Sequence, residues 1–212
     1  MTFFQDYSIP APPPRPRMPE FVPPPWSGPP RYELPAIVPV NRFLHRSAGR
    51  VVAVESASAY STGCTMKLTW TIRRTDEDDQ KWAAMNAGFF NRPGAPGPSL
   101  TREDLFLFGI QFPDGTAASS STFDQNAGPS LMGQEPEGPV FTFRSGGGHG
   151  GDHDLSGTGT LWLWPLPPTG DLRLVTQWTS MGIEESAITL DGAALRDAAA
   201  EAQAYWPDGT PA

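Results

Sequence analysis

The chain has 212 residues, a net charge of −8 and a hydrophobic fraction of 38%, with 25 prolines and 22 glycines. That is enough for one substantial core, and the acidic balance argues against a nucleic-acid partner, because duplex phosphate would be repelled before any base was read. No run approaches the length of a membrane-spanning helix, and a single cysteine, Cys64, leaves no internal disulfide.

Charge and proline are unevenly spread. Residues 1–50 carry six Arg or Lys against three Asp or Glu, whereas the remaining residues carry nine against twenty. Thirteen of the prolines fall in residues 1–40, including Pro12-Pro13-Pro14-Arg15-Pro16-Arg17 and Pro23-Pro24-Pro25-Trp26. Proline fixes φ and removes a backbone donor, so an extended arm over residues 1–49 is expected rather than a sheet interior. Arg15, Arg17 and Trp26 are the residues of this arm that could recognise a protein partner, and Phe21, Trp26 and Tyr32 are those that could tie it to the body. The Met-Thr-Phe-Phe start carries no basic, apolar leader pattern, so a cytoplasmic location is expected.

Ordered structure is expected from about Arg50, as a β-domain over 50–190. Val51–Tyr60 is rich in β-formers, and Cys64, Met66, Leu68, Trp70 and Ile72 alternate with polar residues, which predicts a hairpin with one apolar face. Asp76-Glu77-Asp78-Asp79 reads as a solvated turn. Residues 80–100 show no clear period, and Asn91–Pro98 reads as a loop anchored by Trp82, Phe89 and Phe90. Leu105–Phe112 is apolar on both faces and predicts a central strand, followed by a weaker return over Thr116–Phe123.

Val140–Arg144 predicts a short strand, and the run Ser145–Asp154, dominated by glycine, reads as a mobile polar loop. Leu161–Trp178 then predicts two strands around a Pro-Pro-Thr-Gly-Asp turn, with Trp162, Trp164 and Trp178 needing a covering layer. After a strand at Ser186–Leu190, Asp191 predicts a helix N-cap. Ala194, Leu195, Ala198, Ala199, Ala202 and Tyr205 recur at helical spacing before Pro207, giving a C-terminal helix and tail over 191–212. The sum is an all-β fold: an immunoglobulin-like or jelly-roll-like sandwich with an extended arm and one late helix.

Chemistry is sparse. His149, Asp152, His153 and Asp154 are the only cluster of metal-ligand types, and a metal-dependent hydrolase built on them is the enzymatic alternative. It ranks second because adjacent residues of an extended chain point in opposite directions. The glycine run lacks the Gly-Lys-Ser/Thr of a phosphate loop, and no Gly-x-Ser-x-Gly elbow occurs. Cys64 lies on the apolar side of its strand, as a structural thiol would. His45 reads as a surface histidine. No cofactor is expected. An aromatic sheet face could instead stack on sugar rings. The favoured expectation is a non-catalytic binding or interaction module for a protein partner.

The segments Pro-Pro-Pro-Trp-Ser-Gly-Pro-Pro (23–30), Phe-Gly-Ile-Gln-Phe-Pro-Asp-Gly (108–115) and Leu-Trp-Leu-Trp-Pro-Leu-Pro-Pro-Thr-Gly (161–170), with Gln-Trp-Thr-Ser-Met-Gly-Ile (177–183), resemble an uncharacterised bacterial family of high-GC genomes. That resemblance spans nearly the whole chain and implies no activity. The histidines and aspartates of 149–154 match nothing fixed in it.

Overall fold

The structure, a computed structural model, describes residues 22–90, 100–120 and 135–206. Two antiparallel sheets are built from alternating stretches of the chain. β2 (Ala36–Arg46), β3 (Arg50–Ala59) and β4 (Cys64–Arg73) form a meander, joined through β4 to β8 (Asp154–Trp164) and β7 (Val140–Gly150), so that the order is β2-β3-β4-β8-β7. The second sheet has the order β10-β9-β5-β6, from β5 (Leu107–Gln111), β6 (Ala117–Ser119), β9 (Asp171–Trp178) and β10 (Ile183–Asp191). A two-stranded ribbon of β1 (Glu33–Leu34) and β11 (Gln203–Ala204) stands apart from both.

The period-two pattern does what it predicts. In β4 the residues Cys64, Met66, Leu68, Trp70 and Ile72 are buried and meet Phe108, Ile110, Leu172 and Leu174 from the facing sheet in one core. Burial of that apolar surface is the main term holding two sheets face to face. The core is aromatic at one end. Trp178 stacks on Phe106 with ring centroids 4.5 Å apart, and Trp70 meets Phe106 edge-on at 5.1 Å. The all-β sandwich is therefore as expected, and so is the C-terminal helix, α2 (Gly192–Ala199), whose first turn is capped by the Asp191 side chain accepting from the Ala193 and Ala194 amides.

Five details differ from the sequence reading. The sheet begins earlier than Arg50: β2 lies inside the proline-rich arm, with Pro39 tolerated because β2 is an edge strand. Residues 79–90, which show no period in the sequence, form a helix, α1 (Asp79–Phe90), in which only Trp82 and Met85 are buried, too few to write an apolar stripe, and the loop expected at 91–98 lies outside the described residues. Ser145–Asp154 is not a mobile loop, since β7 runs to Gly150 and β8 starts at Asp154. The two tryptophan strands do not pair with each other: β8 pairs with β4 and β7, β9 with β5 and β10, and Pro165–Gly170 carries the chain from one sheet to the other. Finally α2 ends at Ala199, so Tyr205 leaves the helix and its amide bonds the Tyr32 carbonyl beside the ribbon.

The predicted strand at Leu105–Phe112 is observed as β5, central between β9 and β6, and only Ala117–Ser119 of the return is extended before the chain leaves the described residues.

Candidate functional site

The glycines of β7 and β8 explain where α1 sits. A Cβ at Gly148 would stand 2.8 Å from Phe89 Cε1, and one at Gly150 would stand 2.8 Å from Phe90 Cε2 and 2.9 Å from Asn86 Oδ1. Only a strand without side chains there lets the helix approach. Phe89 then stacks on Trp178 at 5.7 Å, so α1 closes the aromatic end of the sandwich. The Trp82 indole N–H donates to the Gly151 carbonyl at 2.9 Å, and the Arg74 amide donates to the His153 carbonyl at 2.8 Å. The first bond ties the hairpin tip to the helix, and the second ties it to the end of β4.

The acidic run supplies the start of this helix instead of a solvated turn. Asp78 accepts from the Lys81 amide through Oδ1 at 2.7 Å and acts as the helix cap. Glu77 is buried, only 7% exposed, and its carboxylate accepts from the Thr75 amide and pairs with the Arg50 guanidinium. The Thr75 amide and the Arg50 guanidinium together hold its pKa down at about 2. Arg50 also donates to the carbonyls of Met181, Gly49 and Arg73, which leaves no donor face of the guanidinium idle.

Between α1 and the hairpin tip lies an open cleft of about 720 Å³, lined by Arg74, Asp79, Trp82, Ala83, Asn86, Ala87 and Asp152. Two of its polar groups, Arg74 and Asp79, are held in place. Arg74 pairs with Asp79 at 2.6 Å, donates through Nε to the Glu77 carbonyl at 3.0 Å, and lies 6.0 Å over the Trp82 ring. Asp152 and Asp79 are exposed on opposite walls, one from the hairpin and one from the helix. Such a cleft presents two carboxylates and an amide beside one guanidinium and the Trp82 ring, an excess of one negative charge that favours a cationic ligand with hydrogen-bonding capacity.

No protein-family model, curated protein or solved structure matches the chain. What the site can do therefore rests on its geometry.

Of the four residues with metal-ligand chemistry, only Asp152 reaches the cleft. His149 stands on β7 opposite Ser156, Asp154 opens β8 opposite Arg73, and His153 is exposed at the turn. Among the described residues, no group of three or more His, Cys, Asp or Glu side chains is placed to hold a metal ion. Arg15 and Arg17 lie outside the described residues. Trp26 is docked on its own body: it meets Trp164 edge-on at 5.8 Å, and its carbonyl accepts from the Trp162 indole at 3.1 Å. Trp162 and Trp178 are buried and Trp164 is partly covered, so these indoles are structural. The Cys64 thiol is buried and pushed up to about 12 by desolvation. His45 is less exposed than a free surface histidine. It is partly buried and bonded through Nδ1 to Ser186.

Sequence reasoning did not mark Asp79, Trp82 and Asn86 as site residues because it missed α1, nor Arg74, which precedes that helix and pairs with it. One signal was present: Asp78 and Asp79 precede Ala83, Ala84, Met85 and Ala87, an acidic start followed by strong helix formers.

Proposed function

We propose that the chain is a non-catalytic binding module that receives a basic segment of a protein partner in the cleft between α1 and the glycine hairpin. The observation that carries this reading is the exposed carboxylates of Asp79, held by Arg74, and of Asp152, which flank the Trp82 ring in one cleft. Residues 51–212, with nine basic and twenty acidic side chains, add a negative field that would draw a basic partner in. Arg74, already paired, works as a spacer that orients Asp79. The chain's one thiol is buried with its pKa raised, which fits binding better than nucleophilic chemistry. A reduced cytoplasmic setting is compatible with that thiol. Among the described residues no helix is long and apolar enough to cross a membrane.

The experiment is calorimetric titration of the full chain with a short arginine-containing peptide, its glutamate counterpart and a neutral control, at low and high salt. The arginine peptide is expected to bind, to weaken as salt rises, and to lose about tenfold in the Asp79→Asn/Asp152→Asn double variant. Equal binding by the double variant, or by the glutamate peptide, would overturn the proposal.

A further inference from the structure

β2 and β10 are the edges of different sheets, and they run side by side without a backbone ladder between them. Two side chains of β2 span the gap instead. Arg42 Nη1 donates to the Thr189 carbonyl at 2.7 Å, and His45 Nδ1 bonds Ser186 Oγ at 2.8 Å. In a regular strand, residues three apart face opposite sides, so Arg42 and His45 could not both reach β10. The strand is irregular here. Its pairing with β3 slips between Pro39 and Arg42, where Asn41 has φ of 49°, and again between Phe43 and His45. The second slip inserts one extra residue and turns His45 to the side Arg42 uses. Bulges that re-aim a side chain are built features of an edge, not defects. β10 carries a matching slip just before Ser186.

The hydrogen bonds fix the imidazole's tautomer. Ser186 has one hydroxyl proton, and it is donated to the Glu184 carbonyl at 2.9 Å. Ser186 Oγ must therefore accept from His45, which places the proton on Nδ1 and leaves Nε2 bare. Nε2 is buried and has no partner among the described residues. A neutral ring tolerates this at modest cost. A protonated ring would hold a buried N–H without an acceptor, which costs free energy until the ring moves.

We propose that His45 is an acid-sensitive latch on the β2–β10 seam: protonation at Nε2 drives the ring out, breaks the bond to Ser186 and loosens the His45 end of the seam, while the permanently charged Arg42 holds the other end. The charges facing His45 act in opposite senses, Glu184 of β10 favouring the imidazolium and Arg50 of β3 opposing it, and burial outweighs both, so its pKa lies below the usual histidine value. On the other elements packed against β2, Arg173 of β9 is paired with Glu185 and Arg196 of α2 donates to the Pro167 carbonyl. Because the folded pKa is depressed, the closed seam is fully favoured above the unfolded histidine pKa of about 6.5 and loses stability as pH falls below it.

The test is amide hydrogen exchange on the full chain across pH about 7.5 to about 5.5, corrected for intrinsic exchange, comparing β2 and β10 with the central strands β4 and β8. Protection at Phe43–Arg46 and Ile183–Ala187 is expected to fall by about threefold or more on acidification while β4 and β8 hold. His45→Gln, which carries no titrating proton, is expected to remove that pH response. The ring nitrogens of the wild-type protein, followed by NMR, are expected to show the Nδ1–H form at neutral pH. A wild-type seam insensitive to pH, an equal loss in β4 and β8, an undiminished response in His45→Gln, or an Nε2–H ring would each overturn the latch. The NMR observation stands even if the variant does not fold.

Discussion

The Trp82 indole donates to the Gly151 carbonyl, and this one bond fastens α1 to the hairpin whose glycines make room for it. The cleft exists because the two elements are held at that distance. Trp82→Phe keeps most of the ring's burial and removes the donor, leaving the Gly151 carbonyl short of a partner. The expected cost is about 1 kcal/mol in chemical denaturation, with a larger loss of exchange protection in α1 than elsewhere.

Gly157 and Gly159 lie under the Trp70 indole in the core. A Cβ at Gly157 would come within 2.5 Å of Trp70 Cζ2, whereas one at Gly109 would meet nothing nearer than 3.7 Å. Gly157→Ala is therefore expected to destabilise the fold by about 2 kcal/mol through overpacking, and Gly109→Ala to stay within about 0.5 kcal/mol. Paired urea melts of the two variants check the contrast, and equal midpoints would contradict it.

The buried Arg50–Glu77 pair sets the behaviour of the protein in acid. Glu77 has its pKa lowered to about 2, against an ordinary glutamate near 4.5. A depressed folded pKa means that the unfolded chain takes up the proton first. Its contribution is complete above pH of about 4.5 and is lost as pH falls toward about 2. Glu77→Gln leaves the Arg50 charge without its counterion and is expected to cost about 3 kcal/mol at neutral pH. The variant's stability should also vary less with pH across that acidic window, which denaturation curves at stepped pH would measure.

Trp26 pins the arm to the outer side of the five-stranded sheet through its contact with Trp164. Trp26→Ala should free the segment from Val22 to Tyr32 while leaving the sandwich folded, at a cost of about 1 to 2 kcal/mol. Limited proteolysis is the direct measure: new cleavage between residues 22 and 32 is expected, with the body intact.

Cys64 is expected to be inert toward a thiol reagent in the native state and to react fully once denaturant is added, since its thiolate is disfavoured by burial. A native-state reaction at the rate of an exposed thiol would show that β4 opens far more readily than its core position implies.

What could be read from the sequence follows from which physical signals are local. β4 was legible because alternation in a half-buried strand is written residue by residue. Asp191 was legible because a cap acts within three positions. α1 was not, since it is held by glycines some sixty residues away and buries only two side chains on the core. The separation of β8 from β9 was equally hidden, because a proline-rich connection reads the same whether it turns a hairpin or crosses between sheets. The cleft inherited the first of these gaps, because one of its walls is α1. His45 was misread for a related reason: its burial depends on two backbone slips that composition does not announce.

The interleaved strand order has its own consequence for how the molecule reaches this state. β4 finds its neighbour in β8 and β5 finds its neighbour in β9, so each sheet stays unfinished until the last third of the polypeptide is present. Contacts between such distant segments demand long loop closures, which predicts slow, all-or-none folding. A ribosome-bound chain that has emerged only as far as β6 would display two bare sheet borders, and it is then that the protein is most exposed to aggregation.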